Sequence, residues 1–253
     1  MIAILTLVLA LPLGPGESVT VSCDPLPPRI FTVGDSVTQG SATAGGWPAL
    51  LPNALVANVA IGGYTGAACL GLYKYNVKPF SPDAVAILCG INDLKNNSFS
   101  TPQQAFDAQL WMYDQALLNG AELWLISLLP TKYHGGICAP NTGTSCPHYH
   151  NGTGTHSVDH GVPCKVALQP ADITGFNALL ASYATTHPGA HYVDVYSSFL
   201  SNPLDPTSWI PSLYYPEFEG DRDCDGLAET DYVHPSLAGR QIIANVVAAA
   251  MGL

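Results

Sequence analysis

Five short apolar runs, spaced by stretches of helical or loop character, constrain this chain more than any other feature. They are Ile30-Phe31-Thr32-Val33, Leu55 to Ala60, Ala84 to Cys89, Leu123 to Leu128, and Tyr192 to Val195. Each has the length of one strand. The third and fourth are nearly unbroken, as in strands covered on both faces. Thr101-Pro102 supplies a cap and a first-turn proline, and Phe106, Leu110, Tyr113 and Leu117 carry a helix to a stop at Asn119-Gly120. Further helices are expected over Asp172 to Thr186, before Pro188-Gly189, and from Ser236 through Ala250, with Gly252 near its end. Strands alternating with helices predict a parallel sheet inside a three-layer α/β/α sandwich. A length of 253 residues suits one such domain and is short for two.

Composition narrows the function classes. The chain is 47% hydrophobic and 11% charged, which excludes a disordered acidic tail. Eight Lys+Arg against nineteen Asp+Glu give a formal net charge of −11. Nucleic acid binding draws on cations facing phosphates, so no nucleic acid partner is expected, and anionic membrane surfaces are disfavoured for the same reason. The apolar run Met1 to Leu13, closed by Pro12, Gly14, Pro15 and Gly16, is too short to span a bilayer, which takes ~20 residues. It reads as a secretory signal over 1–16, with a buried N-terminal strand as the alternative. A secreted protein with one domain over 24–253 and no stable membrane insertion is the expectation.

Two stretches break the strand–helix rhythm: Thr131 to Lys165, rich in Gly, His, Cys and Pro, and Ser201 to Glu229. Aperiodic loops that long are usually functional or cross-linked. Cys138, Cys146, Cys164 and Cys224 lie in such surroundings, where disulfides would staple loops, whereas Cys89 ends an apolar run and reads as a buried thiol. Seven cysteines leave at least one free or paired outside the chain.

Four segments carry residue types suited to chemistry. Val33-Gly34-Asp35-Ser36-Val37-Thr38 follows the first expected strand, at the end where α/β folds collect reactive groups. Asp231-Tyr232-Val233-His234-Pro235 precedes the last helix. A serine needs an adjacent base, and that base needs an orienting acceptor, which an Asp and a His three apart on one turn can supply. Cys89-Gly90-Ile91-Asn92-Asp93 ends a strand with an amide that can donate to an oxyanion. Asn58-Val59-Ala60-Ile61-Gly62-Gly63-Tyr64-Thr65 offers glycines that let a backbone N–H approach a ligand. Each segment alone is also an ordinary turn, cap or loop.

In the order GDS, N-x-x-x-x-G, G-x-N-D and D-x-x-H, the four resemble the SGNH, or GDSL, hydrolase superfamily, from about Ile30 to the C-terminus. The resemblance implies a flavodoxin-like fold with a five-stranded parallel sheet, and ester hydrolysis by a serine. By position, Ser36 would be the nucleophile, His234 the general base and Asp231 its orienting acid. The N–H groups of Ser36 and Gly63, with the Asn92 amide, would form the oxyanion hole. Gly63 is taken rather than Gly62 because it lies five residues after Asn58 and just before Tyr64-Thr65. Asp35 and Asp93 would be supporting residues.

No G-x-S-x-G or H-E-x-x-H occurs, which removes the lipase elbow and that class of metalloprotease. Asp221, Asp223 and Asp225, followed by Gly226, have the alternation of a calcium loop; but Tyr232 stands where an EF-hand has its glutamate, and a solvated acidic turn is the other reading. His134, His148, His150, His156 and His160 share a loop with three cysteines, at spacings of no standard zinc finger. Trp47, Tyr64 and the run Leu213 to Phe218 line either a substrate site or the core. The expectation is a secreted serine esterase that needs no cofactor for chemistry and acts on acetyl or short-chain esters, including those of polysaccharides. The alternatives are a lipid-directed esterase or lysophospholipase, or a non-catalytic carbohydrate-binding protein on the same fold.

Overall fold

All five apolar runs enter one sheet in the computed structural model, which describes residues 26–40, 45–95, 101–131, 170–206, 208–215 and 231–253. The strands are β1 (Arg29–Gly34), β2 (Leu55–Asn58), β3 (Ala84–Leu88), β4 (Glu122–Ile126) and β5 (Ala190–Val193). Every adjacent pair is parallel and the order is β2-β1-β3-β4-β5, the flavodoxin-like arrangement. Central β3 is buried at all five positions, which is why Ala84–Leu88 contains no polar residue.

The helices are α1 (Ser36–Gln39), α2 (Gly66–Asn76), α3 (Ile91–Lys95), α4 (Pro102–Leu118), α5 (Pro170–Thr186) and α6 (Leu237–Met251). α2, α4 and α5 pack side by side, while α6 packs with the short 3-10 turn at Trp47–Leu50. α4 begins where its sequence says it should. Thr101 Oγ1 accepts from the Gln104 N–H at 3.2 Å, and Gln104 Oε1 accepts from the Thr101 N–H at 2.9 Å, a complete capping box. The α4–α5 seam is aromatic, joining Phe106, Tyr113 and Tyr183, with the Tyr183 hydroxyl donating to Asp114 at 2.7 Å. Among the described residues no helix is long and apolar enough to cross a membrane.

Several expectations change. β5 begins at Ala190, two residues before the expected Tyr192, because Gly189 turns at φ +86° directly into the ladder. It ends at Val193, since the N–H groups of Val195 and Tyr196 both donate to Ser127 Oγ at 2.9 Å instead of to a strand. Helix α2 was not foreseen; Gly66 and Gly71 interrupt its pattern and Thr65 makes no side-chain cap. Cys89 is buried as expected but is no thiol: it is disulfide-bonded to Cys69, which α2 brings over the end of β3. The signal segment 1–16, the stretch 132–165 of the insert and residues 216–230 lie outside the described residues.

Candidate active site

Ser36 emerges where β1 stops. A Cβ at Gly34 would stand 2.4 Å from both the Leu88 carbonyl oxygen and Thr38 Oγ1, so only glycine lets the chain turn this close to β3. Fully buried Asp35 caps α1: its carboxylate accepts from the Val37 N–H at 3.0 Å, and its carbonyl accepts from Thr38 and Gln39. Ser36 is therefore the first residue of α1. Its own N–H has no acceptor among the described residues, as expected for a leading helical N–H. Asn58 locks α1 to β2, donating from Nδ2 to the Thr38 carbonyl at 3.1 Å while its Oδ1 accepts from Thr32 Oγ1 and the Ala60 N–H. The site lies between β1 and β3, where the strand order reverses and an open α/β sheet has its crevice.

His234 arrives from outside that sheet, on β7 (Asp231–Pro235), which pairs antiparallel with β6 (Tyr214–Tyr215). The sequence reading placed Asp231 and His234 on a turn; pairing with 214–215 draws the segment into a short strand instead. Neighbouring contacts fix its position. Buried Tyr214 donates its hydroxyl to the Pro130 carbonyl beyond β4. The Ser236 N–H donates to the Leu213 carbonyl at 2.9 Å, and Ser236 Oγ donates to the Ser212 carbonyl at 3.0 Å. Ser236 also caps α6, accepting from the Gly239 N–H at 3.3 Å, so the helix-capping alternative for His234 falls to its neighbour. So held, His234 Nε2 stands 2.8 Å from Ser36 Oγ, across 198 residues of chain. With the ring proton on Nδ1, Nε2 accepts from the serine hydroxyl. For Asp231 the described backbone opens β7, three residues before His234; its side chain lies outside the described part.

The glycine segment forms a β-turn beside the serine. The Tyr64 N–H donates to the Ile61 carbonyl at 3.3 Å, with Gly63 at φ +79°, the form that favours glycine in third place. The Gly62 N–H donates to Gln39 Oε1 at 2.7 Å. The Gly63 N–H, part of the turn's central peptide, has no acceptor among the described residues. A Cβ on Gly62 would lie 3.5 Å from Ser36 Cβ, so the turn abuts the serine. Asn92, in the first turn of α3, is 2% exposed and donates from Nδ2 to the Tyr64 carbonyl at 2.9 Å, leaving its second amide hydrogen over. Asp93 Oδ2 accepts from the Gly66 N–H at 2.7 Å at the start of α2. Burial pushes the Asp93 carboxyl above its ordinary value, against the pull of that N–H.

Ser36 thus meets His234 and borders the Gly62-Gly63 turn, and Asn92 is bonded to the last residue of that turn, with Asp35 and Asp93 holding the elements that carry them. Trp47, Leu213 and Tyr214 belong to the core, not to a substrate wall; Trp47 is fully buried and its Nε1 donates to Thr38 Oγ1 at 3.4 Å. Asp221, Asp223 and Asp225, and the His/Cys loop from His134 to Cys164, lie outside the described residues. No group of three metal-ligating side chains occurs among the described ones. Gln39 and the Cys69–Cys89 bond escaped the sequence reading. The only trace of Gln39 is its spacing, one helical turn after Ser36.

A parallel 2-1-3-4-5 sheet that presents a serine hydroxyl to an imidazole at its switch point has the build of a flavodoxin-like hydrolase. The GDSL-like Lipase/Acylhydrolase family matches residues 32–242, and the chain belongs to that family. Among solved structures, a GDSL-like lipase from Bacteroides thetaiotaomicron is similar at TM-score 0.61 and 18% identity, over 89% of this chain and 88% of that one. A variant of an acetyl-xylooligosaccharide esterase from Geobacillus is similar at TM-score 0.55 and 17% identity, over 89% and 94%. At these identities the likeness is one of fold. No match was found among curated proteins.

Proposed function

We propose that the chain is an exported esterase that hydrolyses carboxylic esters through an acyl-enzyme on Ser36. The observation that carries this is the 2.8 Å contact between His234 Nε2 and Ser36 Oγ. His234 takes the hydroxyl proton as Ser36 Oγ attacks the ester carbonyl, and the developing oxyanion receives the Ser36 and Gly63 N–H groups and the remaining Asn92 amide hydrogen. The protonated imidazole then returns the proton to the departing alkoxide. A water deprotonated by His234 cleaves the acyl-enzyme, and Ser36 recovers its proton. Asp231 is assigned to orient the imidazole, on the strength of its place in the family motif. These steps use protein groups alone.

Acetyl or short-chain esters, including acetylated carbohydrates, are the substrate class put forward; an esterase of acetylated xylooligosaccharides shares the fold. Export is supported by the apolar run Met1 to Leu13 and by the Cys69–Cys89 bond, which suits an oxidising compartment. The test is Ser36→Ala against a panel of acetyl, butyryl and long-acyl esters, with fluorophosphonate labelling of the unaltered chain. Loss of roughly 10⁴-fold or more in turnover with the fold intact is expected. Near-normal activity in the variant, or no adduct on Ser36, rejects the assignment, and preference for long acyl chains moves the substrate to lipids.

A further inference from the structure

Gln39 touches neither Ser36 Oγ nor His234 in the contacts above, yet it is the side chain that ties the glycine turn to the nucleophile's own helix. From the acyl-transfer reading of this site, we infer that Gln39 is a positioning residue for the oxyanion donor of Gly63. The near side of the turn hangs from the protein by two successive N–H groups, while Asn92 holds the Tyr64 carbonyl at its far side. Ile61 donates to the Gly34 carbonyl at 3.1 Å, and Gly62 donates to Gln39 Oε1 at 2.7 Å. The second tie falls on the first of two successive glycines, the residue pair with the widest backbone freedom. The first tie fixes the strand end; the second fixes the turn itself.

Gln39 is well placed for this. Its own N–H donates to the Asp35 carbonyl at 2.8 Å, and the residue before it is held by Asn58, so the carboxamide starts from a fixed helix. A Cβ placed on Gly62 would lie 2.9 Å from Gln39 Oε1 and 3.5 Å from Ser36 Cβ, so the carboxamide and the serine both border Gly62. Because Gln39 Oε1 engages the Gly62 N–H, the donor offered toward the serine is that of Gly63. Without it the only side-chain grip described on the turn is that of Asn92 on the Tyr64 carbonyl, past the glycines, and the central peptide can rotate away from the position an oxyanion needs.

Gln39 is exposed, so Gln39→Met removes the acceptor and leaves the core untouched. In Q39M, kcat on a short-chain ester is expected to fall roughly tenfold with KM within about twofold, because a displaced donor weakens the transition state more than the ground state. Amide hydrogen exchange at Gly62 should accelerate in Q39M and stay slow in Gln39→Glu, which keeps an acceptor. Unchanged kcat in Q39M, a loss confined to KM, or equal Gly62 exchange in Q39M and the unaltered chain overturns the inference while Ser36-dependent turnover stands. An unaltered chain without Ser36-dependent turnover overturns this inference and the esterase reading together.

Discussion

Replacing both Cys69 and Cys89 by alanine tests how much of the site's frame depends on one covalent link. The bond closes a loop with a sequence separation of 20 residues. In the chain-entropy account, freeing such a loop returns about 11 cal/mol/K to the unfolded chain, or about 3 kcal/mol at 25 °C. Both residues are buried, at 0% and 2% exposure, so losing two sulfurs from a packed interior adds roughly 1 kcal/mol or more. For a chain of this size the total corresponds to a melting temperature lower by roughly 8–16 °C. Urea denaturation and thermal melting followed by circular dichroism measure it. Variants are preferable to a reductant, which would act on the other cysteines as well. The single Cys69→Ala change should reproduce most of the loss, because the link is gone in either case. A double variant within about 1 kcal/mol of the parent would refute the loop-closure reasoning, as would a single variant of parental stability.

Gly63→Ala meets nothing within 4 Å but must hold φ +79°, so a loss of about 1–2 kcal/mol in unfolding free energy is expected. Gly62→Ala instead brings a Cβ to 2.9 Å from Gln39 Oε1, which must give way, and should lose more turnover than stability; the reverse ranking in parallel melts and ester assays would be inconsistent with the turn described. Burial and the nearby Asp194 carboxylate push Tyr192 up to about 12. The folded chain then keeps a proton that the unfolded chain releases near pH 10, so this tyrosine's contribution is full below about pH 10 and is lost as pH rises through about 12. Tyr192→Phe should therefore show a smaller fall in melting temperature across that window, and an equal fall would count against the burial argument.

The strands were legible because apolar runs of strand length between turn formers leave few other options for Ala84 to Cys89 or Leu123 to Leu128. α4 was legible for a local reason: Thr101 and Pro102 mark its start, and the structure adds Gln104 to complete the cap. α2 was not, because Gly66 and Gly71 break its pattern and its stability comes from packing against α4. Ser36, His234, Asn92 and Gly63 stood out through the order of four motifs, none of them informative alone. Their supports did not stand out. The contact of Gln39 with Gly62, the grip of Asn58 on Thr38, and the pairing of Cys69 with Cys89 join residues 20 to 23 apart whose partnership only the folded chain creates. Trp47 illustrates the converse. An aromatic beside two glycines suits a substrate wall, and burial assigned it to the core.

Ser36 grows from the principal sheet, whereas His234 rides on a two-strand appendage built from Tyr214–Tyr215 and Asp231–Pro235. Heat that loosens only that appendage parts His234 from Ser36 while the five-stranded sheet stays whole. Durability of the fold and durability of the Ser36–His234 contact are therefore separate properties of this molecule.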